Sequence, residues 1–270
     1  MQTAVVTGAG RGIGREVARR LAQRGYAVLV TDVDEAGAQA TADEIGGGAW
    51  AMAQDVREAD SHRAAAKAAT ERGPLKVWVN NAGVMSNRNA WDHDDAEVKL
   101  HVDVNFYGVL WGSRAAVDAM RADPHDAHII NMASMSSFGP VPGLAVYGAT
   151  KHAVLGFSES LGGDLHLADI PITVHAICPD TVDTGLVREN ADRPEAALVF
   201  SAPRILSPDA VADRIVGVLD SGKLVLAIPG WRRFFAESTG WFPRLSLRLV
   251  RPIVNSGERK RQKAQTTGRL

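Results

Sequence analysis

This 270-residue chain has little cysteine, little tyrosine and no long apolar run: one Cys, three Tyr, and no segment of the ~20 consecutive apolar residues that a membrane-spanning helix needs. A lone Cys178 cannot close an internal disulfide, and its setting in ITVHAICP predicts a buried strand position instead of a reactive thiol. The eight histidines include no HExxH pair and have no partner cysteines, so no metal site is expected. Nothing resembling an export signal stands ahead of the apolar run in MQTAVVTGAG, which makes the cytoplasm the expected compartment. Strong net charge is missing too, at a formal −1. That near-neutrality hides an asymmetry, because residues 229–270 hold ten Lys/Arg against two Glu, a tail of +8 on a body of −9. An acidic body argues against nucleic acid as a partner, while the basic end suits an anionic surface.

What the chain does have is an alternating pattern of short and long apolar segments. Runs rich in Val, Ile and Ala predict strands near 2–7, 26–31, 49–53, 75–80, 127–133, 172–178 and 222–228. Between them, 12–24, 34–45, 58–72, 93–121, 147–168 and 207–219 carry apolar residues at helical spacing, as parallel crossovers require. Strand runs such as AVLV and HIIN lack polar alternation, which fits a sheet covered on both faces. The expected architecture is α/β, a Rossmann-type doubly wound, seven-stranded parallel sheet flanked by helices. No linker or repeat divides residues 1–228, so they are expected to form a single domain, with 229–270 a C-terminal extension.

Thr7-Gly8-Ala9-Gly10-Arg11-Gly12-Ile13-Gly14 lies between the first strand and the first helix. Glycines there let backbone approach a pyrophosphate, and a helix N-terminus offers amide donors and a positive dipole, so the loop is shaped for a dinucleotide. Asp32, 18 residues past Gly14, ends the second strand where a carboxylate can accept from ribose hydroxyls. It favours NAD and disfavours the 2′-phosphate of NADP, although Arg11 could partly compensate that charge.

Tyr147 is the one tyrosine with a lysine four residues on, Lys151, and on a helix the two share a face. An adjacent ammonium is expected to stabilise the phenolate and pull the phenol toward working pH, making Tyr147 an acid/base. By itself the pair is as readily a solvent-facing contact. Its context is Ser134, at the end of the fifth strand, where a hydroxyl can hold a substrate oxygen; Ser136 and Ser137 compete for that role.

Together these motifs resemble the classical short-chain dehydrogenases/reductases over about residues 1–228. The resemblance maps the dinucleotide loop onto Thr7, Gly8, Gly12 and Gly14, the NAD-marking acid onto Asp32, and an adenine contact onto Asp55 and Val56. It maps the NNAG motif onto Asn80, Asn81, Ala82 and Gly83, and a proton-relay asparagine onto Asn105. The catalytic set maps onto Ser134, Tyr147 and Lys151; the 13-residue gap agrees with the family spacing and selects Ser134 over Ser136. Further cofactor contacts fall on Arg11, Ile13, Pro179, Val182 and Thr184, and Lys151 would also grip the nicotinamide ribose. One departure stands out: Asp180 occupies the family's glycine after Pro179, which would bring a carboxylate close to the nicotinamide.

The resemblance implies hydride transfer between NAD and an alcohol or carbonyl carbon, in a homodimer or homotetramer built through 93–121 and 147–168. Met135, Phe138, Val141, Pro142, Leu144 and the segment 185–203 suggest an apolar alcohol or ketone. A non-catalytic dinucleotide-binding regulator and an epimerase or dehydratase are the alternatives. In the tail, Trp231, Phe234, Phe235, Trp241 and Phe242 interleave with arginines, which fits either peripheral contact of 229–260 with an anionic membrane or a helix packed over the pocket. The last dozen residues are expected to be mobile.

Overall fold

The computed structural model describes residues 1–202, 204–241 and 243–267. Seven parallel strands form one sheet: β1 (Thr3–Thr7), β2 (Ala27–Asp32), β3 (Trp50–Ala53), β4 (Leu75–Asn80), β5 (Ala127–Met132), β6 (Ile172–Pro179) and β7 (Val225–Ile228), in the order β3-β2-β1-β4-β5-β6-β7. Every residue of β1 and β4 is buried, as unalternating strands between two helical layers must be. One layer holds α1 (Gly12–Gln23), α2 (Glu35–Ile45) and α8 (Pro208–Val216), whose Val17, Leu21, Ala38 and Ile215 pack against Val6, Val30 and Ile130. The other layer holds α3 (Ala59–Thr70), α5 (Gly108–Met120) and α6 (Ala145–Leu167), where Ala65, Met120 and Leu165 meet Leu29, Trp78 and Ile129.

After β3 the chain returns to the opposite side of β1, so β1 and β4 are neighbours and their crossovers diverge. That switch point leaves a crevice beyond the carboxyl ends of the strands, which is where open α/β sheets bind ligands. A buried polar ladder runs under it. Asn80 Nδ2 donates to Asn131 Oδ1 (2.8 Å) and Ser113 Oγ (3.1 Å), and Asn131 Nδ2 donates to Ser158 Oγ (3.0 Å). Each partner is satisfied, so the ladder fixes β4, β5 and the helices behind them in one register.

One expectation is revised. The single helix expected over 93–121 is instead α4 (Asp95–Val102), a π turn over Asp103–Tyr107, and α5. The turn is held by Asn105, whose carboxamide accepts from Val84 N (2.8 Å) and donates to Val84 O (2.9 Å). Gly108 packs its backbone against Val56 at the same place. Such turns concentrate at functional sites.

Beyond β7 come α9 (Gly230–Trp241) and α10 (Pro243–Thr267), and α10 packs on the 3₁₀ stretch Pro194–Ser201. Its Arg261 is buried and hydrogen-bonded to the Ala191 carbonyl. Among the described residues no helix is long and apolar enough to cross a membrane.

Candidate active site

The glycine turn after β1 takes its shape from close packing. Gly8 and Gly12 have φ of +61° and +62°, and a Cβ at Gly8 would run into the Ala82 backbone. A Cβ at Gly14 would meet the Asn81 carboxamide, which donates to the Thr7 and Gly8 carbonyls (2.9 and 2.8 Å). Thr7 is buried, and its hydroxyl accepts from the amides of Asn81 (3.1 Å) and Ala82 (3.2 Å). The NNAG segment and the glycine turn are therefore one rigid piece, with the N-terminus of α1 opening onto the crevice.

A cavity of about 460 Å³ occupies that crevice. Gly8, Arg11, Gly12 and Ile13 form one wall, and Asp32, Asp55 and Val56 stand on the β2–β3 side. Asn81, Ala82 and Gly83 lie after β4; Tyr147 and Lys151 face in from α6, and Pro179 and Thr184 come from beyond β6. Five expected residues do not themselves line the cavity. Thr7 and Gly14 shape the turn, Asn105 holds the π turn, Ser134 stands beside Tyr147, and Val182 is buried in the apolar layer beside α8.

Asp32 is held in place before any ligand arrives: its Oδ2 accepts from Gly10 N (2.9 Å) and its Oδ1 from Asp34 N (3.1 Å). Asp55 is paired with Arg57, whose hydrogen bonds hold its carboxyl below the ordinary range. Sequence reasoning passed over Arg57, although its spacing of two from Asp55 was a local signal; it lines the cavity too. Arg11 reaches across the cleft to Glu189 Oε1 (2.8 Å), so its charge is shared with the opposite wall.

At the inner end three neighbouring serines differ in their surroundings. Ser134 stands beside the Tyr147 phenol and caps the 3₁₀ turn Met135–Ser137, its Oγ accepting from Ser136 N (3.1 Å). Ser137 Oγ donates to the Lys151 carbonyl (2.7 Å), and Ser136 Oγ is buried without a protein partner among the described residues. Of the three, Ser134 is the one beside Tyr147, and it also caps the turn.

Lys151 Nζ sits 5.7 Å from the centre of the Tyr147 ring and donates to Met132 O (2.7 Å). The expected pull of this ammonium on the phenol does not dominate. Burial pushes the Tyr147 phenol above its ordinary value, partly opposed by the Ser134 hydrogen bond, and burial lowers Lys151 to about 8. Cys178, with no exposure, is pushed up to about 12 and is inert, as its strand setting implies.

The Asp180 carboxylate does not point into the cavity. It forms an ion pair with Arg232 at the start of α9, and its amide donates to Ile228 O (2.8 Å). A cation 52 residues further along therefore compensates the charge expected beside the nicotinamide.

Comparison with known proteins places this geometry. The profile of the short chain dehydrogenases matches residues 2–195. The short-chain reductase protein NovJ of Streptomyces niveus is 37% identical over 228 residues, 80% of this chain and 86% of NovJ. Probable oxidoreductase EphD of Mycobacterium tuberculosis is 34% identical over 235 residues, 81% of this chain, but the chain spans only 39% of EphD's length. Among solved structures, a short chain dehydrogenase/reductase from Burkholderia phymatum in complex with NAD superposes with a TM-score of 0.82 at 28% identity, covering 91% of this chain and 95% of that one. The 3-ketoacyl-(acyl-carrier-protein) reductase of Brucella melitensis, complexed with NADH, gives 0.76 at 30% identity over 84% and 96%. A profile match along most of the chain, with relatives above 30% identity over most of both lengths, leaves one assignment: the chain belongs to the short-chain dehydrogenase family of oxidoreductases.

Proposed function

We propose that this protein transfers a hydride between NAD and the alcohol or carbonyl carbon of an apolar substrate, with Tyr147 as the acid/base. One observation carries the reading: a phenol beside Ser134, with a buried ammonium 5.7 Å from its ring, opens into the cavity that Asp32 and the glycine turn also line. Bound nicotinamide would supply the hydride acceptor or donor. The residues present fit such a group, since Gly8 and Gly12 line the cavity without side chains and the preset Asp32 carboxylate faces it.

In the oxidative direction Tyr147 Oη takes the hydroxyl proton of the alcohol. Ser134, beside that phenol, orients the alcohol oxygen and stabilises charge on it. Lys151 keeps a positive charge beside the ring while its Nζ is anchored to Met132 O. Asn105 acts at one remove. Its carboxamide is engaged by Val84 and, through Nδ2, by Thr150 Oγ1 (3.2 Å), so its part in relaying the proton is to fix the π turn against α6. Apolar Met85, Leu144, Val187 and Phe200 cluster around Tyr147, which favours an apolar substrate.

Turnover of a panel of secondary alcohols, read as NADH appearance, tests this reading. Net NADH is expected; nucleotide binding without turnover would favour the regulator, and product without net NADH the epimerase or dehydratase. An Asp32→Ala variant in the same assay is expected to lose charge-assisted hydrogen bonds to ribose hydroxyls, raising KM for NAD roughly 10- to 100-fold and shifting preference toward NADP. Wild-type turnover with NADP equal to that with NAD would sink the NAD assignment.

A second reading concerns the extension. Trp231, Phe234 and Phe235 are 57%, 62% and 62% exposed on α9, and Arg244, Arg248, Arg251 and Arg259 are exposed along α10. We propose that this aromatic and basic surface lies on an anionic bilayer. Co-sedimentation with vesicles containing phosphatidylglycerol is expected to fall about fivefold in a Trp231→Ala/Phe235→Ala variant. Equal sedimentation of the two proteins, or no preference over phosphatidylcholine vesicles, removes the idea.

A further inference from the structure

The wall opposite the glycine turn is the chain between Pro179 and Ala202. Its inner side supplies Thr184, Gly185 and Leu186 to the cavity, and its Val187, Ala196 and Phe200 belong to the apolar cluster around Tyr147. It is built from short pieces, α7 (Gly185–Arg188) and the 3₁₀ stretch Pro194–Ser201, joined by a turn over 189–193.

The outer side of this wall is held by α10. Arg261, 8% exposed, donates from Nη1 to Ala191 O (3.3 Å) and Asp192 O (3.2 Å). Its Nε and Nη2 are fixed by Glu258, three residues earlier (2.8 and 2.7 Å). Lys260 Nζ reaches Ala202 O (3.1 Å) and Ser201 O (3.4 Å). Gly257, one turn before Arg261 on the same face, lies so close to Ala197 that a Cβ would run into its carbonyl. Arg261 thus holds the carbonyls of the turn that joins the two short helical pieces, and Lys260 caps the carbonyl end of the second. The other end of the wall is secured by the same extension, through Arg232 on Asp180.

We propose that α10 is the fixed backing of the substrate wall, and that Arg261 is a positioning residue that sets how tightly the substrate is held without touching it. The inference rests on reading this cavity as an alcohol or carbonyl site. A wall of short helical pieces has few internal hydrogen bonds, so its stiffness comes from what it leans on. Removing the Arg261 bond pair frees 191–202 and, through Val187 and Phe200, the apolar lining beside Tyr147. Cofactor contacts on the glycine-turn side are untouched.

The test compares full-length wild type with Arg261→Gln, Arg261→Lys and the milder Glu258→Gln, which only loosens Arg261. Trypsin cleavage after Arg188 and Arg204 under native conditions, followed by mass spectrometry, reads the wall itself whatever the substrate proves to be. Arg261→Gln is expected to speed cleavage about tenfold, Glu258→Gln less, and Arg261→Lys to recover most of the protection. With an alcohol that turns over, Arg261→Gln is expected to raise its KM about tenfold while kcat changes less than threefold and the Kd for NAD less than twofold. Cleavage at the wild-type rate in both Arg261→Gln and Glu258→Gln overturns the proposal. So does faster cleavage accompanied by an unchanged substrate KM, or by an equal loss of NAD affinity. Absence of turnover by the wild type would instead count against the proposed activity, and the cleavage rates would still decide whether α10 backs the wall.

Discussion

A Tyr147→Phe variant is expected to lose about 10³-fold in kcat/KM for alcohol oxidation, and to bind NAD within about twofold of wild type. The substitution removes one oxygen from the cavity and leaves the ring packed against the apolar cluster of Val187, Leu144 and Phe200. On the proposed mechanism only the group that moves the proton is lost, so the effect lands on turnover and not on cofactor affinity. The pH dependence of the wild type follows from the burial that raises the phenol. Oxidation needs the phenolate, so its rate climbs as pH rises above neutrality. Carbonyl reduction needs the protonated phenol, which a raised value favours, so its rate is flat near neutrality and falls on the alkaline side. Nearly intact turnover in Tyr147→Phe, or an oxidation rate independent of pH between 6 and 9, would show that another group carries the proton.

Much of this site was legible because its parts are local. The glycine turn, Asp32 and the Tyr147–Lys151 pair each occupy a few consecutive residues whose spacing matches one turn of backbone or helix, and the structure sets them around one cavity. The sheet was legible for a related reason: a strand buried on both faces, such as LKVWVN in β4, leaves a compact apolar signature. The π turn at Asn105 was not, because one inserted residue barely disturbs apolar periodicity, and its cause is the backbone of Val84, on a different segment. The partner of Asp180 was not legible for the same reason. Its neighbours in sequence say that a carboxylate stands near the nicotinamide, whereas its charge is met by Arg232 from beyond β7. Arg261 lies 70 residues from the Ala191 carbonyl it caps, and a basic stretch near a terminus reads as solvated until that carbonyl is in view. What escapes a single sequence is which distant backbone group each charge will meet.

Replacing Lys151 by Met is expected to abolish measurable oxidation while making the fold more stable at neutral pH. Burial lowers the ammonium to about 8 from the ordinary 10.5 of a lysine. Between those values the folded chain binds fewer protons than the unfolded one, so stability attributable to Lys151 rises with pH across that window. Below about 8 the charged form is buried at its full cost, about 3 kcal/mol for a difference of this size. Met fills the same volume without charge and forfeits the hydrogen bond to Met132 O, worth about 1 kcal/mol. The balance at pH 7 favours Met by roughly 2 kcal/mol, and the advantage disappears as pH approaches 10.5. Urea unfolding of both proteins without cofactor, at pH 7 and again near pH 10, measures the difference directly. A Lys151→Met protein less stable than wild type at pH 7, or a gap that does not narrow with pH, would mean that the ammonium is not buried at a cost to the fold. A gap that narrows as expected, together with lost oxidation, would identify Lys151 as a group kept against stability for the chemistry beside Tyr147.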